Sequence, residues 1–564
     1  MSWFHKYSEC APSRKVHMTA SDPTPARPGT RTLLRFFLGA FAVLFALSGM
    51  WSIATPLGSG PDEVAHMVKA GGVAYGDPTG RASSSGVRDF DVPDYLQEIN
   101  NTACFNLQPN MPAGCMGDID GSRDNLVPVE SSAGMYNPLY YAFVGWPTLL
   151  LEDEQAMYAM RLASAVLISV LLAAGWTALF ARSRRGWGLT AIAVAMTPMV
   201  IYLGGVVNPN SAEIAAAFAL AAWLALLVDP QRPGLVRLSI IGSVVATVVL
   251  VNTRSVGPLW ALIILGVAFL DPRFWRVCGR RVDFWIAAGV MALGAGFAAW
   301  WMLSQGASEA RSGFAGQGEV TFAEGFEFMF SKTLEFGQGY IGSFGWLDAL
   351  LPKGFVSLWT GVMFVIVIAG LLLGRGWSRL RLFVMAIVFV LIPPLLQGSQ
   401  WYTLGYIWQE RYVLAILVAL LIAAGVALDD GTIQPKLVQR APTVFTTLLV
   451  TLVAIHSFGF IMVVKRYAVG TFDGDGWSLL LQPTQWNPPG GTFTIWIIYT
   501  LTASLAAALV YRLVLERPLL PARLERLVQR GTPPAVTAAA RNDDAPGATA
   551  TAPHVDRQHT KEHS

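Results

Sequence analysis

Long apolar runs joined mostly by short polar links make up most of this chain; the longest link is residues 56 to 155, and a second large external loop is residues 304 to 354. Runs able to cross a hydrocarbon core of about 30 Å fall at roughly 33–55, 156–181, 187–207, 211–228, 236–251, 256–271, 283–303, 355–374, 381–397, 411–428, 442–464 and 492–515. The pattern predicts an all-α polytopic membrane protein of about twelve transmembrane helices with a large first extracytoplasmic loop. The first run, Leu33 to Thr55, is too long for a signal peptide. A shorter apolar piece opens at Tyr136-Asn137-Pro138-Leu139-Tyr140-Tyr141, is interrupted by Pro147 and ends near Leu151. It is expected to be re-entrant or interfacial, because a crossing there would turn Arg182, Arg184 and Arg185 outward and invert every later loop.

Composition agrees with the pattern. Of 564 residues 53% are hydrophobic and 14% charged, and the mean hydropathy of +0.47 lies outside the soluble range. The net charge of +3 matters less than its placement. With 137–151 not crossing, the basic clusters at 182–185, 232–237, 273–281, 375–381, 436–440 and from Arg512 onward all fall on one side. By the positive-inside tendency that side is cytoplasmic, together with both termini. Residues 1–31 and 531–564 read as disordered cytoplasmic tails flanking a membrane domain of 32–530. The active face is then the outer one, where the loops 56–155, 304–354, 398–410 and 465–491 lie. Cys104 and Cys115 sit in the first loop at a separation that suits a disulfide, whereas Cys10 and Cys278 fall on the inner side and are expected to be free.

The candidate chemistry starts where the first run ends, at Ser59-Gly60-Pro61-Asp62-Glu63-Val64-Ala65-His66. If Ser59 or Gly60 caps a helix with Pro61 in its first position, Asp62 and Glu63 lie one turn before His66 and the three side chains converge. The same residues also make an ordinary acidic helix start. Three arginines depart from the charge rule, since Arg161, Arg254 and Arg411 lie at outer helix ends. A cation there costs about 2.5 to 3.5 kcal/mol on insertion scales and calls for a partner. Either a local acid or a shared anion would serve, and a guanidinium matches a phosphate in two-point contact. Glu213, after Asn208-Pro209-Asn210-Ser211, adds a polar group at the outer end of another helix. The stretch from Phe336 to Asp348 interleaves glycines with aromatics, including Tyr340 and Trp346, as a loop that packs on sugar or lipid does. Asp118-Ile119-Asp120-Gly121 lacks the spacing of a calcium loop and reads as a polar turn.

Gly60-Pro61-Asp62-Glu63-x-x-His66, Asn137-Pro138-Leu139-Tyr140-Tyr141, Gly342-x-x-Gly345-Trp346-Leu347-Asp348-x-x-x-Pro352 and Gln409-x-Arg411-Tyr412 together resemble the bacterial membrane proteins of domain-of-unknown-function family 2142. That family resembles the GT-C glycosyltransferases, which take sugars from polyprenyl-phosphate carriers. The resemblance runs from about Leu33 to Leu515 and implies a GT-C-like membrane domain. It implies an acidic residue of the first external loop, here Asp62 with Glu63, as catalytic base or metal-proximal carboxylate. His66, Arg161, Arg254, Arg411, Tyr340, Trp346, Asp348 and Gln409 are the expected substrate-binding residues. Glu410 stands where the family often has Gly, and Glu213 where it has Asp, so Glu213 is left out of the catalytic set.

The implied partners are a polyprenyl-phosphate sugar donor, a glycan or glycolipid acceptor and membrane lipids, with no nucleic acid. Asp62 would take the acceptor proton while Arg411 and Arg254 hold the phosphate, with inversion. Glu63 and His66 would orient Asp62 or hold a divalent cation, the one cofactor left open. The rival readings are a flippase of lipid-linked sugars and a non-catalytic subunit of an envelope assembly complex. The flippase is disfavoured because the charges sit at the rim and no internal repeat is visible.

Overall fold

The computed structural model describes residues 29–83, 87–183, 186–229, 232–305, 316–333, 335–431, 440–471, 476–480 and 484–515. Most of the expected tail residues, 1–28 and 531–564, lie outside them, as does Cys10; helix α1 begins at Thr30. The long apolar helices are α1 (Thr30–Ala54), α5 (Asp153–Arg182), α8 (Pro209–Leu227), α9 (Val236–Val251, extended at its start by a 3-10 turn), α12 (Val282–Ser304), α15 (Lys353–Leu373), α16 (Gly376–Leu404), α17 (Leu414–Asp430), α18 (Ala441–Val469) and α19 (Thr492–Leu515).

Among the described residues ten helices are thus long and apolar enough to cross a membrane, or up to eleven if α6 (Trp187–Ala195) and α7 (Pro198–Gly204) form one broken span bent by 60°. The bend has a local cause: Pro198 occupies the first turn of α7, where its missing N–H costs nothing, and the Thr197 hydroxyl accepts from Val200 N at 3.2 Å. The expected span 256–271 falls short. It forms α10 (Gly257–Phe269), 13 residues or about 20 Å long. Asp271-Pro272 then starts α11 (Pro272–Cys278), with the Asp271 carboxylate capping Arg273 N at 2.9 Å.

Helices α8 and α17 form the centre and are buried over most of their length, whereas α1, α12, α15 and α19 keep broad apolar faces exposed. In a membrane protein such outward faces meet lipid. Small residues bring the central helices together: a Cβ on Gly425 would lie 2.8 Å from the carbonyl oxygen of Gly188 on α6.

The long link is a folded cap. It contains α2 (Glu63–Ala74), α3 (Tyr95–Thr102), α4 (Pro138–Gly145) and an antiparallel sheet ordered β1 (Arg81–Ala82), β2 (Arg88–Pro93), β3 (Leu126–Ser131). The sheet corrects the all-α expectation in this part of the chain. Met67, Phe90, Tyr95, Leu96, Ile99 and Tyr141 are buried in the cap's own core. Cys104 and Cys115 are joined, and Cys278 is a buried free thiol. Helix α4 has eight residues, about 12 Å, too short to cross. Leu139, Phe143 and Trp146 are exposed along α4 and the turn after it, as on an interfacial helix.

Candidate functional site

The segment Ser59–His66 does not start its helix at Pro61. Asp62 takes a left-handed backbone, φ +58°, and α2 begins at Glu63. A non-glycine residue in that region is strained and is held there by its surroundings. The turn sends the two neighbouring carboxylates in different directions.

Glu63 turns inward to Arg161 of α5. Arg161 Nε donates to Oε1 at 2.7 Å and Nη2 to Oε2 at 2.5 Å, both side chains being 0% exposed. The remaining guanidinium hydrogens reach the carbonyl oxygens of Ser52 (2.9 Å), Thr55 (2.8 Å) and Pro56 (2.8 Å). All five donors are therefore engaged, and a cation closes the C-terminal end of α1, where helix carbonyls lack partners. Glu63 also accepts from Gly60 N and Val207 N, each at 3.0 Å. With no exposed surface and this set of partners, neither residue is free to touch a substrate. This corrects the expectation of Glu63 as a catalytic group and Arg161 as a substrate ligand.

Asp62 turns the other way. Its carboxylate is 47% exposed and accepts one hydrogen bond from Arg411 Nη2 at 3.0 Å, across 349 positions of sequence. Arg411 is 3% exposed, and its Nε and Nη1 meet no acceptor among the described residues; the buried Gln409 Oε1 likewise meets no donor among them. A buried unpaired donor costs about 1 to 3 kcal/mol, and more when charged. The guanidinium carbon of Arg411 lies 5.6 Å from the centre of the Tyr412 ring, and that of Arg254 lies 4.5 Å from the same ring. The two cations thus share one aromatic side chain. Arg254 also donates to Asn210 Oδ1 and pairs with Glu213 at 3.5 Å. Burial works against the Arg254 charge, but Glu213 with Tyr136 and Tyr412 outweighs it and holds the pKa above its usual value.

His66 completes this side. It bonds through Nδ1 to the Tyr141 hydroxyl at 2.9 Å and lies against the rings of Tyr136 and Tyr141. Burial first, then Arg254 and Arg411, push its pKa down to about 3, so the ring is neutral at physiological pH. Asp62, His66, Arg254 and Arg411 therefore form one polar cluster at the junction of cap and membrane helices.

The profile of a family described as "Predicted membrane protein (DUF2142)" matches residues 45–421, most of the chain. The chain belongs to the DUF2142 family. No curated protein sequence matches it. Solved structures similar to this DUF2142 protein include ArnT from Cupriavidus metallidurans in the apo state and bound to undecaprenyl phosphate. Each is 14% identical with a TM-score of 0.41; the two alignments cover 86% and 90% of this chain and 77% and 82% of those chains.

The family-matched segment takes in Asp62, His66, Arg254 and Arg411, and other expected ligands of this DUF2142 chain lie apart from that cluster. Tyr340 is buried on α14 (Gly337–Ile341), against Phe336 and Phe389, away from solvent. Asp348 is 7% exposed and pairs with Arg466 at 2.6 Å. Arg466 also donates to the carbonyls of Phe105, Gln108 and Met111, tying the disulfide loop to α18. Trp346 donates through Nε1 to Gly58 O at 3.1 Å, which fixes the loop just before Asp62. These three expected sugar or phosphate contacts are thus engaged in holding the fold. The turn that carries two of them needs Gly345, at φ +63°, where a Cβ would sit 2.6 Å from the Tyr467 hydroxyl.

The sequence pattern does not single out Arg466, an outer-end arginine in the same class as Arg161, Arg254 and Arg411, or Tyr412, which the Gln409-x-Arg411-Tyr412 motif contains. Nor does it single out Asn208, whose side chain caps α8 and donates to Pro61 O at 2.7 Å, setting the turn that aims Asp62. A divalent cation does not fit the residues suggested for it. Glu63 is committed to Arg161 and His66 Nδ1 to Tyr141, and no group of three His, Cys, Asp or Glu among the described residues is arranged to hold a metal.

Proposed function

We propose that the chain is a glycosyltransferase of the outer face of the plasma membrane, moving a sugar with inversion from a polyprenyl-phosphate donor to a cell-envelope glycan or glycolipid. The observation that carries the reading is Arg411. One of its nitrogens bonds the half-exposed Asp62, while Nε and Nη1 have no acceptor among the described residues. Both are donors of a buried cation, each able to give a charge-assisted hydrogen bond to a phosphate oxygen. Arg254, against the same Tyr412 ring, supplies a second positive charge.

In the reaction Asp62 accepts the proton of the acceptor hydroxyl as that oxygen attacks the anomeric carbon. The bond from that carbon to the phosphate oxygen breaks, and its electron pair leaves with the polyprenyl phosphate, whose charge Arg411 and Arg254 balance. A good leaving group needs no general acid. His66, neutral and bonded to Tyr141, fills the floor beside Asp62 without adding a third cation.

The test uses purified full-length protein in lipid nanodiscs or vesicles, a panel of radiolabelled polyprenyl-phosphate sugars and envelope acceptors, and the Arg411→Lys variant. A lysine keeps the charge and loses the fixed planar array that holds Asp62 with one nitrogen and leaves others free to donate, so transfer is expected to fall about a hundredfold or more. Movement of the labelled lipid across vesicles without a new glycosidic bond would replace the proposal with a flippase.

A further inference from the structure

A second feature lies at the opposite end of the helices from Asp62. A groove of about 440 Å³ runs between α1 and α19, floored by α18 and bordered by α5, α6 and α7. Its walls are aliphatic along most of the length, with Val43, Leu47, Leu452 and Ala507 typical. His456, a polar side chain in the wall, has both ring nitrogens bonded, to the Tyr499 hydroxyl at 3.1 Å and Met196 O at 2.9 Å. It therefore presents no unsatisfied polar atom to an occupant.

The groove has a charged end. Trp51 of α1 bonds Tyr499 of α19 at 3.3 Å, so the two helices run antiparallel with Arg35 and Arg512 together at the far end. Both arginines line the groove, both are exposed, and neither has an ion-pair partner among the described residues. From Arg35 to Leu47 the groove follows α1 for about 18 Å, close to the roughly 15 Å of hydrocarbon in one leaflet. The volume is in the range of specific small-molecule sites, about 300 to 1,000 Å³. Arg35 and Arg512 lie outside the family-matched residues 45–421.

We infer that this groove is a lipid site for an anionic phospholipid of the leaflet opposite the Asp62 cluster, with an acyl chain between α1 and α19 and the phosphate between Arg35 and Arg512. Charge complementarity selects the headgroup: juxtamembrane guanidinium groups attract anionic lipids, whereas a zwitterionic headgroup gains little. Length selects a single-leaflet lipid. The site is independent of the chemistry proposed at the other face.

Native mass spectrometry of the full-length protein in mild detergent tests this, by titration with dioleoyl phosphatidylglycerol, dioleoyl phosphatidylcholine and undecaprenyl phosphate. The proteins are wild type, the double variant Arg35→Gln with Arg512→Gln, and Gly39→Leu. An added Cβ at Gly39, which lines the groove, meets nothing within 4 Å, so a side chain there starts in open space, and this variant serves even if the double variant does not fold. Phosphatidylglycerol is expected to bind at least about tenfold more tightly than phosphatidylcholine. The double variant is expected to lose about thirtyfold for phosphatidylglycerol alone, and Gly39→Leu to weaken both phospholipids. Equal binding of the two phospholipids, unchanged phosphatidylglycerol binding in either variant, or displacement by equimolar undecaprenyl phosphate would each overturn the assignment.

Discussion

Asp62 and Glu63 are neighbours in sequence, each bonded to an arginine from a distant helix, and they meet opposite environments. Around Glu63 and Arg161 every donor of the guanidinium is satisfied and no surface is exposed. Around Asp62 and Arg411 one hydrogen bond is made, the carboxylate is half exposed and two guanidinium nitrogens have no acceptor among the described residues. A closed pair of this kind specifies how α1, α2 and α5 meet, and its net contribution to stability is small until one partner is removed. An open pair keeps charge available for a ligand. One backbone feature, the left-handed Asp62, separates the two.

The sharpest way to break the comparison is to remove one member of the closed pair. Glu63→Gln or Arg161→Met leaves an uncompensated buried group and is expected to cost about 3 to 5 kcal/mol, read as a lower unfolding midpoint and yield in detergent. The combination Glu63→Leu with Arg161→Met should recover part of that loss. If single and double variants were equally unstable, the ion pair would not be the element that matters. Asp348 and Arg466 resemble the closed pair and hold the loop closed by Cys104 and Cys115. Replacing both cysteines by serine is expected to cost about 2 to 4 kcal/mol, measured by thermal unfolding with and without reductant.

On the open side the prediction concerns pH. His66 faces Tyr136, Tyr141, Arg254 and Arg411, and its folded pKa lies near 3 against an ordinary 6.5. Between these values the unfolded chain binds the proton and the folded chain does not, so stability is lost as pH falls from about 6.5 towards 3. The slope reaches about 1.4 kcal/mol per pH unit. Unfolding midpoints across pH 4 to 7 should flatten in His66→Gln; an unchanged slope would place the titration elsewhere. The smallest expected effect is that of Asn208→Ala, which loses the cap of α8 and the bond to Pro61 O, for about 1 kcal/mol. A loss of transfer larger than that of stability would show that Asn208 positions Asp62.

Much of this molecule was legible as pattern. The apolar runs marked the membrane helices because a hydrocarbon core leaves few alternatives, and the cysteine spacing marked the disulfide. Asp62 and Arg411 stood out as charges in unusual places, and they meet. What the pattern could not give was direction. Whether Glu63 or Asp62 turns inward depends on a single φ angle fixed by Asn208, Trp346 and the cap, contacts between segments far apart in sequence. The same holds for Asp348, whose motif suggested chemistry while its partner Arg466 lay 118 positions away. The sheet in the cap was hidden because β1 has two residues and β2 shows little alternation in its buried positions. The pattern marked α10 within a few residues, and Asp271-Pro272 ends the run at once; the difference lies in the length a crossing needs, which 13 residues do not reach.

The most direct test of the account is Asp62→Asn, measured for both unfolding midpoint and sugar transfer beside Glu63→Gln. Asp62→Asn should keep the wild-type midpoint within a degree or two, because a half-exposed ion pair contributes about 1 kcal/mol or less. It should lose about 10²- to 10⁴-fold in transfer, the usual contribution of a positioned base. Transfer at the wild-type rate, or unfolding as severe as in Glu63→Gln, would contradict the division of labour between the two acids.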